Sequence, residues 1–420
     1  MNGAFIDTVD WNELQHAYGA ASDIPPLLRQ VATLKGRKLH EPIGELYSRV
    51  LHQGTIYSAS PPVARVVIEM VGTADLEHKT FIYDLLDGFC EASRRAFIDG
   101  RAIPCHAGGD PVDGRAIERE ILAGAGAFVP DLTHAEADIR RYAANLLTAF
   151  RSMTLESASL VRDRWFVETD ATVRSAMVIG LTRVRGLFAD WMEFLEKALD
   201  KERDANSRYL LRLAQVDELK ASADSAAVDD LIRSFVEANA GDYFRNDDGR
   251  FFEVLQGLGV DRNVAGLLEA FRLTTNRELL RVLAERLLRV VFEDQRTDWG
   301  QTASSLLQED GSVPPQPDMS RQAVKIVAKL ILWKIFPFIR RWQIRRMTQS
   351  KPKGIWKVDY WGLKGTAPEI PAHLTETQQR VLIALAEKAE LWKFRTNLWE
   401  LFGLPGEAEG IRRFATERSA

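Results

Sequence analysis

The chain has 420 residues, 46% of them hydrophobic and 27% charged, which is the mix of a globular protein with a large core and not of a disordered or fibrous one. Its net charge of −4 gives no global field toward nucleic acid or membrane, so either interaction would need a local patch. The two cysteines, Cys90 and Cys105, are too few for a disulfide framework, and Asp7, Asp10 and Glu13 precede any apolar run, so no signal peptide is expected and the chain reads as cytoplasmic.

Residues 10–72 read as four short helices. Ile24-Pro25-Pro26-Leu27-Leu28-Arg29 recurs in outline as Ser60-Pro61-Pro62-Val63-Ala64-Arg65, 36 positions later. Proline is tolerated in a first helical turn, where its missing N–H would have no partner anyway, so the pair is a start signal used twice. Ile24, Leu27, Leu28, Val31 and Leu34 then share one helical face, as do Val63, Val66, Val67, Met70 and Val71, with Gly36 and Gly72 as stops. Between the two units, His52-Gln53-Gly54-Thr55 with Tyr57 is the densest polar and aromatic cluster. His52, Gln53 and Tyr57 are candidate partner-binding residues on a turn. The alternative is that Gly54 sets the turn while His52 and Tyr57 hydrogen-bond across to the next unit.

A longer helix is expected over Leu76–Phe97, then a turn-rich loop from Gly100 to Gly114. Helices follow at about 115–129, 134–150, 157–169, 171–184 and 187–204. Here the recurrence is clearer: Glu136-Ala137-Asp138-Ile139-Arg140 returns as Asp170-Ala171-Thr172-Val173-Arg174, 34 positions later. A fixed period near 35 residues predicts stacked helical pairs, each burying its apolar face against its neighbours. The acids Glu136 and Asp170 suit the positive N-terminal end of a helix. Arg140 and Arg174 stand where they can bridge neighbouring units. From about residue 205 the repeat fades, with further helices at 227–239, 251–258, 264–271 and 277–292. Glu309–Pro317, with Asp310-Gly311-Ser312 and three prolines, reads as a linker.

The segment from Arg321 to Lys357 carries eleven Lys or Arg residues and no acid, which leaves a net −15 on the remainder of a chain whose total is −4. Lys325 and Lys329 share a face, and Arg340, Arg341, Arg345 and Arg346 cluster among Trp333, Phe336, Phe338 and Trp342. Three readings stand: a helix packed on the rest of the chain or on an acidic protein, an anionic membrane surface, or nucleic-acid phosphates. The run Ile326–Ile339 is broken by Lys329, Lys334 and Pro337 and falls short of the roughly 20 apolar residues of a spanning helix. In the tail, Thr375 and Gln378 form a capping box opening a helix through Trp392.

Asp138-Ile139-Arg140 and Thr172-Val173-Arg174, each followed by small and aliphatic residues, resemble the second helix of HEAT repeats. The short period is closer to the compact HEAT-like repeats of bacterial proteins related to phycobilisome lyases (armadillo-like α-solenoids). Trp11-Asn12-Glu13-Leu14, His52-Gln53-Gly54-Thr55-Ile56-Tyr57 and Leu398-Trp399-Glu400-Leu401-Phe402-Gly403 are similar to uncharacterised bacterial proteins of that kind. The resemblance covers roughly the first half and the last forty-odd residues. It implies a solenoid built for protein contact and brings no established activity.

No catalytic signature accompanies it. Cys90, Cys105, His78, His106 and His134 lack any zinc-site spacing, and adjacent Cys105-His106 is poorly placed for a nucleophile and its base. Gly124-Ala125-Gly126 lacks the third glycine of a dinucleotide loop, and Asn246-Asp247-Asp248-Gly249 would put Phe244 and Leu255 at calcium-ligand positions. The sequence therefore predicts an all-α protein, a right-handed α-solenoid of HEAT-like helical pairs with a helical C-terminal region. Residues 1–205 form the repeats, 206–308 a divergent helical continuation, 309–317 the linker, 318–357 the basic segment and 358–420 a helical cap. No catalytic residue, cofactor, metal or small-molecule substrate is predicted. The expected role is a protein-binding scaffold, adaptor or inhibitor using a concave surface. The alternative is binding of nucleic acid or anionic membrane through 321–357.

Overall fold

Helices form where the sequence supplies a start signal and a one-sided apolar spacing. The computed structural model describes residues 4–95, 97–98, 101–102, 114–239, 250–292, 371–393 and 398–418. Over these residues the chain is all-α, with only two hairpins of two-residue strands, β1 (Gln15–His16) with β2 (Gly19–Ala20) and β3 (Phe97–Ile98) with β4 (Arg101–Ala102). It divides into two compact units, Met1–Ala284 and Glu285–Ala420. The linker 309–317, the basic segment with Lys325, Lys329, Arg340, Arg341, Arg345 and Arg346, the pair Cys105-His106 and the turn at 246–249 lie outside the described residues.

The first unit opens with α1 (Ala4–Thr8), α2 (Ile24–Thr33), α3 (Arg37–Val50) and α4 (Ser60–Met70). Both Pro-Pro pairs lie in the first turn of their helix, α2 and α4, as the recurrence predicts. Gly36 is the residue before α3 and adopts φ +58, a conformation other residues avoid, so it starts the next helix more than it stops the last. The apolar faces fill the core: Ile24, Leu28, Val31, Val63 and Val67 are fully buried.

Next come α5 (Leu76–Arg95), α6 (Gly114–Gly124), α7 (Ala137–Leu147), α8 (Leu155–Trp165), α9 (Ala171–Arg183), α10 (Trp191–Lys201) and α11 (Ala205–Leu219). α5, α7, α9 and α11 form a row in which each packs on the next, while α6 packs on α5, α8 on α7 and α9, and α10 on α11. The helix expected over 115–129 ends at Gly124 and gives way to 3-10 turns at Ala125–Ala127 and Val129–Thr133, where Gly126 and Pro130 disfavour a continuous helix. No helix is expected from the sequence over α11, where the repeat fades. Asp204 caps it as Asp170 caps α9, each side chain accepting from a backbone N–H three residues on, so the 34-residue pattern runs past residue 205. Glu136, at the matching place before α7, makes no such bond, its side chain being one methylene longer than the residues that cap well. The unit closes with α12 (Ser225–Ala238), α13 (Arg250–Gly257), α14 (Val260–Leu273) and the start of α15 (Arg277–Val291).

In the second unit, α16 (Glu376–Glu387) opens on the predicted capping box: Gln378 N donates to Thr375 Oγ1 at 3.2 Å, and Thr375 N donates to Gln378 Oε1 at 2.9 Å. The helix does not run through to Trp392. Lys388 leaves the helical conformation, and α17 (Ala389–Trp392) is a separate turn. After α18 (Leu398–Leu401), α19 (Ala408–Glu417) packs on α16, and the Trp392 and Trp399 rings stack at 4.6 Å.

Candidate functional site

Within the row α5–α7–α9–α11, a repeated ion pair ties α7 to α9 and α9 to α11. Arg140 on α7 reaches the loop before α9, where its Nε and Nη2 donate to the two oxygens of Glu168 at 2.8 Å each. Arg174 on α9 does the same to Glu202 before α11, at 2.9 and 3.1 Å. In both, Nη1 also donates to the carbonyls that lead into the arginine's own helix: His134 and Ala135 for Arg140, Glu168 and Thr169 for Arg174. Each arginine thus ties the entry of one helix to the entry of the next. The carboxyl of Glu168 is fully buried. Burial alone would raise its pKa, but the Arg140 hydrogen bonds, the Asp170 amide and the nearby Arg164 outweigh it and hold the group at about 2. The bridging expected of Arg140 and Arg174 is what the structure shows.

On one face of this row lies a cleft of about 580 Å³. Its walls come from Asp87 and Arg94 on α5, Arg141 and Asn145 on α7, Thr172, Ser175, Ile179 and Arg183 on α9, and Asp204 and Asn206 at the start of α11. The size falls within the range of ligand-holding pockets, and the lining mixes charge, small polar groups and an exposed isoleucine. Arg183 Nη1 donates to Thr148 O at 2.9 Å and Arg94 Nη1 to Ala149 O at 3.3 Å, so both guanidiniums cover the carbonyl end of α7. Arg141 lies over the Tyr142 ring at 4.2 Å and near Asp138. Burial depresses Arg183 to about 10, and the cation of Arg94 adds to the effect. Burial also raises Asp87, although Arg94, Arg141 and Arg183 all favour its charged form. Beneath the cleft, Cys90 is fully buried and its thiol is pushed up to about 12, which removes it from nucleophilic chemistry.

The polar cluster of the N-terminal turn lies elsewhere. His52, partly exposed, shares a 3.2 Å hydrogen bond with the Tyr18 hydroxyl, their rings edge to face at 5.5 Å, and Tyr18 is itself 63% exposed. Tyr57 points inward and is buried, so its ring offers no surface to a partner. Gln53 lies in the 3-10 turn His52–Gly54 beside them. The structure therefore separates Tyr57 from His52 in role. His78, at the start of α5, is occupied on both ring nitrogens, by Asp75 at 2.6 Å and Val31 O at 3.0 Å. Among the described residues no group of three or more His, Cys, Asp or Glu could hold a metal ion, and no helix is long and apolar enough to cross a membrane.

No family model matches the chain, and no curated protein matches it. Among solved structures, the chain is similar to two engineered proteins from the Northeast Structural Genomics Consortium. One is 14% identical, with a TM-score of 0.33, over 58% of this chain and 98% of its own. The other is 12% identical, with a TM-score of 0.27, over 94% of this chain and 98% of its own. Likenesses at that level say nothing of a site.

The cleft had no linear signal, because its arginines come one from each of three helices and none sits in a motif.

Proposed function

We propose that this protein is a non-catalytic binding scaffold, an α-solenoid of HEAT-like helical pairs that holds another protein on the α5–α7–α9–α11 face. The observation that carries this reading is the cleft between Asp87 and Asn206, where successive helices of one row contribute to a single surface. Solenoids bind along such rows without a reactive group, and the groups here suit contact better than catalysis. Cys90 is sealed in, and His78 is committed to Asp75 and Val31. An adaptor or inhibitor working in a bacterial cytoplasm fits this best.

The test is affinity capture from the native cells with the wild type and with Thr172→Trp, which fills the cleft from an exposed position. The reading predicts a stoichiometric protein with the wild type and its loss with the variant. Equal recovery from both would sink the assignment of the face. The eleven cations of 321–357 support a second reading, in which nucleic acid or anionic lipid is the ligand. In that case Arg340, Arg341, Arg345 and Arg346 changed to glutamate would abolish a salt-sensitive complex, and Thr172→Trp would leave it intact.

A further inference from the structure

We propose that the cleft is a carboxylate site, in which Arg94 and Arg183 seat an acidic side chain of the bound protein. The inference rests on the protein-binding reading above and adds the chemistry of what is held.

Its basis is a departure from the pattern of the row. Arg140, Arg174, Arg185 and Arg208 each meet a carboxylate of the same chain: Glu168, Glu202, Asp217 with Glu218, and Asp230. Among the described residues, Arg94 and Arg183 form no ion pair. Each commits one N–H to a backbone carbonyl, at 3.3 and 2.9 Å, out of the five that a guanidinium carries. The two cations also act on each other across the cleft, and Arg183 loses basicity through burial and through Arg94. Two like charges of which neither forms an ion pair gain from one added carboxylate. Asp87 is near enough to be felt by both, yet it makes no ion pair with either; burial raises its pKa while the arginines act the other way.

The rest of the lining chooses among anions. Asp87 and Asp204 stand on opposite helices of the cleft, and Asp84 follows on the exposed side of α5, where it accepts from the Tyr142 hydroxyl at 3.1 Å. A run of phosphates laid along the row would meet these carboxylates. A single carboxylate beside Arg94 and Arg183 meets one acid, Asp87, against two guanidiniums. Ile179, 38% exposed, with Ala176 beside it, supplies the apolar contact that a polypeptide neighbour of that carboxylate would use. The competing account is that both arginines only cover the carbonyl end of α7 and need no anion.

The experiment is calorimetric titration of the full chain with a capped glutamate-containing decapeptide, the same peptide with glutamine, inorganic phosphate and a thymidine oligonucleotide. The glutamate peptide is expected to bind, more weakly as salt rises, and to lose about tenfold or more in affinity in the double variant Arg94→Gln, Arg183→Gln. Because that variant also loosens the end of α7, Ile179→Glu is the second arm. A carboxylate carried by α9 itself should occupy the site, remove peptide binding and raise the low-salt melting temperature by a few degrees, on the order of what one charge-assisted contact gives. Equal binding of the glutamine peptide, tighter binding of phosphate or oligonucleotide, or wild-type peptide binding by Ile179→Glu would each overturn the inference. A captured partner lost with Thr172→Trp but kept by both arginine substitutions leaves the scaffold reading standing and removes this one. Peptide binding without any captured partner removes the scaffold reading, and with it the bound protein as the source of the carboxylate, and leaves only an acid-binding cleft.

Discussion

Replacing Glu168 by glutamine keeps the size of the side chain and removes the charge that Arg140 and Arg164 share. Arg140 would then stay largely buried with a neutral partner, and breaking one half of a buried pair costs about 3–5 kcal/mol. Urea denaturation at pH 7 measures the loss. The same carboxyl sets a pH dependence. Its folded pKa of about 2 lies below the ordinary value of 4.5, so its contribution is complete above pH 4.5 and disappears as pH falls toward 2. That shift corresponds to about 3 kcal/mol, and the stability profile of Glu168→Gln should be flatter over the same window. Gly180 makes a second residue-scale prediction. A Cβ there would sit 2.0 Å from Thr148 Oγ1 and 3.0 Å from Thr148 Cβ, so Gly180→Ala forces α7 and α9 apart and should cost about 1–3 kcal/mol. Adding Thr148→Ala should recover much of that loss, a non-additivity that a double-mutant cycle reads directly.

Among the elements, the caps carry measurable stability. Asp204→Ala removes the acceptor of the Ser207 N–H and should cost about 1 kcal/mol, while Asp204→Asn should cost far less, by thermal melting of each variant. Legibility follows from how each helix meets its surroundings. Starts of α2, α4, α9 and α16 stood in the sequence as Pro-Pro, Asp170 and Thr375 with Gln378, because a cap is a local event. α11 did not stand out, since Tyr209, Leu210, Leu211, Leu213, Ala214 and Val216 are buried all round the helix and leave no single apolar face. α11 packs on α9, α10, α12 and α13 at once, so its pattern is that of a central helix. The cleft was illegible for a different reason: Arg94, Arg141 and Arg183 meet only after three helices have packed, and each alone looks like a surface arginine. By contrast, the bridging role of Arg140 and Arg174 could be read, because period and residue type recurred together.

At the scale of the molecule, the row is a chain of nearest neighbours. α7 packs on α9 and α9 on α11, so a local break should spread along the row and fade with distance. Glu202→Gln, which leaves Arg174 without its anion, is expected to lower amide protection most in α9 and α11 and least in α2–α4, by native-state hydrogen exchange. Uniform loss across the whole first unit would instead mean that it opens as one cooperative body.

The Arg140–Glu168 and Arg174–Glu202 pairs also define a cassette with matching ends. Excising residues 171–204 would join Asp170 directly to Ala205, so that Asp170 inherits the cap of α11. Both members of the Arg174–Glu202 pair would leave together, and Arg140 would keep Glu168. The cut therefore strands no charge from either pair. Deletion or duplication of 171–204 would change the length of this row by one whole step, with the cap at that junction already in place.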